Sequence, residues 1–136
     1  MTLVQLHAAA VCAWLGLVAG EFVLELTPGD AGTRRFVAQA HLWTDRLFEI
    51  PLVALVVVTG GLLLARAWPA SPLLWTKVGL ALVAIAAQVI CIPLVRRRAR
   101  ETDERRLRDL SRSIIATGAA APFGLAALVI GYDYLH

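Results

Sequence analysis

The sequence predicts an all-α membrane protein, a single bundle of four transmembrane helices over residues 1–136, and three observations predict it. Apolar residues make up 59% of the chain and charged residues 17%, against about a quarter charged in soluble domains. Apolar runs that meet the requirement of about 20 residues per span recur four times. Arginines gather in the connections between those runs, the pattern that sets topology in membranes. The four runs use most of the 136 residues. Any chemistry is therefore built from the spans and their short connections.

The first span is expected from Leu3 to Leu26, stopped by Thr27-Pro28-Gly29-Asp30, whose Pro-Gly pair breaks helices. No Lys or Arg precedes this run, so it reads as a retained helix and not as a secretory signal. The second helix is expected from Thr33 as N-cap, over about 34–68, to Trp68-Pro69. That exceeds the bilayer, so its first turns project beyond it. The third span starts at Pro72, with Trp75 and Lys77 as interfacial anchors, and covers about 73–95. The fourth covers about 114–135, from Ile114 to Leu135, and the connection before it is expected to be helical from Glu101. Small residues at Gly16-xxx-Gly20, at Gly60-Gly61 and from Ala119 to Gly124 are expected to let helices approach closely.

Charge sets the orientation. Arg96, Arg97, Arg98, Arg100, Arg105, Arg106, Arg108 and Arg112 lie in the third connection, and Arg34, Arg35 and Arg46 on the same side. The other side has Arg66 and Lys77. The positive-inside rule then places both connections in the cytoplasm and both termini outside, in the cytoplasmic (inner) membrane. The lipid bilayer is the expected partner, with a homo-oligomer or a larger membrane complex open, and the basic loop suits anionic headgroups. Nucleic acid is not an expected partner, because the arginines alternate with Glu101, Asp103, Glu104 and Asp109 beside a span. Cys12 and Cys91 fall at different depths, so no disulfide is expected between them.

The residues that carry chemistry form a stripe. At 100° per residue, Trp14, Glu21 and Glu25 lie within about 40° of His7 on one face of the first helix. On the second helix His41, Asp45 and Glu49 follow at i, i+4 and i+8, with Thr59 at the same azimuth. On the third, Lys77, Gln88 and Cys91 fall within about 60° of one another. Each stripe must face the bundle interior. Glu21, Glu25, His41, Asp45 and Glu49 share one half of the bilayer and resemble the inward carboxylate and histidine sets that bind metals in helical bundles. Carboxylate with imidazole favours Fe, Mn or Zn over Cu(I). The spacing departs from the Glu-x-x-His of di-iron bundles, so only the ligand type matches. Two alternatives stay open: ion pairs with nearby arginines that hold the bundle, and a proton or substrate pathway. His7 lies about 27 Å along the helix from Glu25 and cannot share a ligand with it. It suits a haem ligand, a quinone contact or a structural role, with His136 as the one histidine at similar depth.

Leu6-His7 with Trp14-Leu15-Gly16, Thr59-Gly60, and Trp75-x-Lys77 resemble small four-helix membrane proteins related to the copper-resistance D-type domain. They are also similar to the membrane protoporphyrinogen oxidases that bind haem. The likeness covers three of the four helices. It implies His7 as a metal or haem b contact with Lys77 near it. Neither family prepares for the Glu21, Glu25, His41, Asp45 and Glu49 cluster, so the resemblance speaks to architecture more than to activity. The expected function is transition-metal binding at that cluster, in a redox or transport component. The alternatives are haem- or quinone-dependent electron transfer centred on His7, or a structural subunit; whether the chain is an enzyme stays open. A reporter active only in the cytoplasm is expected to give signal when fused after Arg100 and none after His136, and the reverse pattern would overturn the orientation.

Overall fold

The computed structural model describes residues 1–27 and 29–133, the last through its backbone only. All its regular structure is helical: α1 (Leu3–Leu26), α2 (Ala31–Thr44), a π-helical turn (Asp45–Glu49), α3 (Ile50–Arg66), α4 (Pro72–Arg100), α5 (Glu104–Gly118) and α6 (Ala121–Asp133). α2, the π turn and α3 run on as one rod, and α5 and α6 form a single broken span. Four helical stretches are therefore long and apolar enough to cross a membrane, and the chain is a four-helix bundle as predicted. His136 and the expected end of the last span at Leu135 lie outside the described residues.

Local chemistry explains each end. Thr2 and Gln5 form a reciprocal capping box at the start of α1. Asp30, rather than Thr33, caps α2: its carboxylate accepts from the Thr33 N–H at 2.8 Å and the Thr33 hydroxyl at 2.9 Å. Ser71 caps α4 ahead of Pro72. Trp68 and Trp75 meet edge to face at 6.3 Å and close the turn between α3 and α4. α4 continues to Arg100, past the expected end at Val95, because hydropathy measures depth in the bilayer while arginine is itself a good helix former. The connection that follows is only Glu101–Asp103, with Asp103 capping α5, so α5 begins at Glu104 and not at Glu101. Glu101 takes the Thr102 and Asp103 N–H groups on one oxygen, which holds its carboxyl below the usual range.

Two prolines shape the spans from within. Pro51 has no N–H to give the Leu47 carbonyl. The preceding turn widens, and the Ile50 N–H reaches Asp45 O instead. Pro122 likewise leaves the Gly118 carbonyl without its helical partner, and the last span breaks at Ala119–Ala120. Hydropathy alone had merged α6 with the end of α5.

The bundle is inverted relative to a soluble domain. Among the described residues the most completely buried side chains are Glu49, Val95 and Asp45, whereas Leu62, Leu82, Val89, Ile90 and Leu125 face outward, where lipid covers them. α1 packs on α3, and α4 packs on α5 and α6. Some of the expected close approaches form and others do not. Gly16, Gly20 and Gly61 have open space around them, whereas Gly60 lies against the His7 ring and Gly124 against Leu15. A side chain at Gly124 would meet Leu15 at 2.9 Å and Ala84 at 3.4 Å, which is why α6 can nest between α1 and α4.

Candidate functional site: a buried carboxylate centre

The polar stripes of α1, the α2–α3 rod and α4 converge at one level of the bundle. Glu21 and Glu25, one turn apart on α1, face His41 from the end of α2. His41 Nε2 is 3.0 Å from Glu21 Oε2, and Nδ1 is 2.7 Å from Glu25 Oε1. An imidazole with a carboxylate on each ring nitrogen has the donor pattern of an imidazolium, because only the charged ring donates from both sides. Arg98, near the end of α4, reaches across to Glu25 Oε2 through Nη1. The same nitrogen lies 3.3 Å from Ser111 on α5. Arg98 Nη2 stands 3.2 Å from His41 Nδ1, and two cations share Glu25 there. The Cys91 thiol is within reach of His41.

The π turn supplies the next layer. The widened turn leaves both Asp45 and Glu49 facing inward, 1% and 0% exposed, where wide turns of this kind often serve a site. Gln88 on α4 donates through one amide nitrogen to both, to Asp45 Oδ1 at 3.0 Å and to Glu49 Oε2 at 2.5 Å. Glu49 also lies close enough to Glu21 and Asp45 to interact electrostatically with both. One oxygen on each of Glu21, Asp45 and Glu49 is buried without a hydrogen-bond partner among the described residues. Four carboxylates therefore meet two cations in contact, His41 and Arg98, and two negative charges are left over. Arg96 acts on Asp45 only from the exposed face.

A cavity of about 50 Å³ opens beside this network between α1, α4 and α5. Trp14, Glu21, Glu25, His41 and Gln88 are among its walls, and the Trp14 indole N–H is buried there without a partner. At roughly 10–15 Å³ each, it has room for about three waters. Trp14 and Glu21, each with an unpartnered buried polar atom, thus both line one small and mostly apolar space.

All five residues predicted as ligands come together, chiefly as partners of one another. Among the described residues no group of three or more His, Cys, Asp or Glu side chains is arranged to hold a metal ion. His7 and Lys77 form a separate neighbourhood toward the other end of α1, with Lys77 near enough to act electrostatically on the ring. His7 Nδ1 lies 2.8 Å from Thr59 Oγ1, and Thr59 spends its own proton on Leu55 O at 2.6 Å. Cys12 is exposed and Cys91 buried, and both are free thiols.

Sequence reasoning missed Arg98. It stood among the topology arginines, although it lies seven residues after Cys91 and hence only about 20° from it around the helix. Gln88 was placed on the stripe without its role as the shared donor. Both readings needed the facing helix.

This geometry defines a multi-pass integral membrane protein with an ionisable centre inside the bundle. No protein-family model matches the chain, and no curated protein or solved structure matches it either. Gln88→Leu keeps the volume and removes the amide donor that Asp45 and Glu49 share. It is expected to lower stability by about 1–3 kcal/mol, read as a lower melting temperature in detergent. The exposed Arg108→Gln control should stay within about 0.5 kcal/mol of the parent. Equal melting of Gln88→Leu and the parent would show that Gln88 does not hold the centre together.

Proposed function

We propose that the chain is a proton-binding membrane protein, whose centre takes up and releases protons within the cytoplasmic half of the bilayer as part of a transport or redox step. One observation carries the reading: four buried carboxylates face two cations, with three carboxylate oxygens unpartnered. An excess of like charge in a water-poor site is relieved by protons shared between neighbouring carboxyl groups. Glu49, between Glu21 and Asp45, is placed to carry one. The small cavity lined by Glu21, Glu25, His41 and Gln88 offers a water-mediated way in.

The expected transition-metal role has less support. Both ring nitrogens of His41 face carboxylates, which leaves Glu21, Asp45 and Glu49 as an oxygen-only donor set, poorer for Fe or Zn than the mixed set foreseen. A purely structural ion-pair role accounts for Glu25, His41 and Arg98 but leaves Asp45 and Glu49 buried without a cation in contact. Infrared spectra of the reconstituted protein test the proposal. A protonated carboxyl C=O band is expected at neutral pH, weaker in Glu49→Gln and titrating away at high pH. Carboxyl groups that are all ionised at neutral pH would sink it.

A second site has its own observation. Because Thr59 donates to Leu55, it must accept from His7 Nδ1–H, and the His7 Nε2 lone pair is left for a ligand such as haem iron. Lys77 beside it suits an acidic substituent of that ligand. Protein purified from membranes is expected to show a Soret band that His7→Ala removes, and a parent spectrum without one would discard this reading.

A further inference from the structure

Arg98 has two sides. Its Nη atoms face Glu25, Ser111 and His41, and the residue is only 3% exposed. Its Nε is buried without a hydrogen-bond partner. The same residue lines a second hollow, about 260 Å³, at the arginine-rich end of the bundle. Arg35 from α2 and Arg100 from the last turn of α4 line it as well. Neither has an ion-pair partner among the described residues, unlike Arg34, which pairs with Glu104 at 2.9 Å, and Arg106, which faces Asp103.

The rest of the wall is largely committed. The Gln39 side-chain amide donates to Ala99 O at 3.1 Å and ties α2 to α4. Glu101 is the one carboxylate in the wall, and one of its oxygens is taken by the Thr102 and Asp103 N–H groups. Three arginines thus line a space with a single acidic residue, and the most buried of the three, Arg98, keeps an unsatisfied N–H. Guanidinium forks match the oxygens of phosphate in geometry and charge.

We infer that this hollow binds a phosphate group, held between Arg35 and Arg100 and touching Arg98 from the side opposite Glu25. The occupant is the phosphate of an anionic lipid headgroup or a free phosphate, since the hollow lies where the arginine-rich end meets the headgroups. Either would share Arg98 with the carboxylate centre, so the site would connect the membrane surface to the buried network through one side chain.

The test is native mass spectrometry of the detergent-purified chain with phosphatidylglycerol, with phosphatidylcholine and with inorganic phosphate. The parent is expected to retain one phosphatidylglycerol or one phosphate in preference to phosphatidylcholine. Retention of the lipid alone assigns a headgroup, and retention of both assigns any accessible phosphate. Arg35→Gln with Arg100→Gln, both at exposed positions, should lower that affinity at least tenfold. Arg97→Gln with Arg108→Gln removes the same charge away from the hollow and should change it less than twofold. Thermal unfolding of both double variants checks that each is folded. Equal losses in the two would reduce the effect to general attraction and overturn the site, as would a parent that retains neither probe.

Discussion

The bundle depends on the His41 bridge between Glu21 and Glu25. Two carboxylates one turn apart on the same helix repel each other, and inside a bilayer each costs several kcal/mol to desolvate. A cation that touches both, backed by Arg98 on the outer oxygen of Glu25, turns that liability into a cross-link between α1, α2 and α4. The three helices must then sit at one height, because the contacts are as short as 2.7 Å and a slip of one residue would separate the partners by 1.5 Å. Lipid offers no hydrophobic drive to fix that height. Polar contacts do so here.

The π turn follows from the same requirement. Asp45 and Glu49 sit at its two ends and both accept from Gln88 on α4. With Pro51 withholding its N–H, the turn widens and both carboxyl groups stay turned to Gln88. A proline in a span is often tolerated because neighbours re-satisfy the freed carbonyl. In this protein its position also aims two acids at one amide.

Much of the architecture was legible. Four apolar runs and the arginine distribution predict four spans because the bilayer imposes length and polarity directly. The 100° rule also gathered Glu21, Glu25, His41, Asp45 and Glu49 correctly, because a charged side chain in a span has only the interior to face. What stayed hidden was pairing across helices. Whether His41 offers a nitrogen to a metal or donates from both to carboxylates depends on rotamers and on helix spacing, which no single helix reveals. Arg98 was masked by its neighbours, since one buried arginine among exposed ones has the same composition as a topology signal. The break before Pro122 and the cap at Asp30 were readable locally, but hydropathy outweighed them.

α1 is fastened to the α2–α3 rod near both ends, by His7 on Thr59 and by Glu21 and Glu25 on His41. Two ties far apart on the same pair of rods oppose both sliding and rolling of α1 against the α2–α3 rod. These helices make one group, and α4 with the broken α5–α6 span forms the other. Among the described residues, Gln88 and Arg98 make buried polar contacts across the seam between the two groups, and Gln39 on Ala99 and Arg34 on Glu104 cross it at the exposed rim. Separating the two groups would therefore break the contacts of Gln88 and Arg98 at the centre and those of Gln39 and Arg34 at the rim, and leave the ties within each group intact.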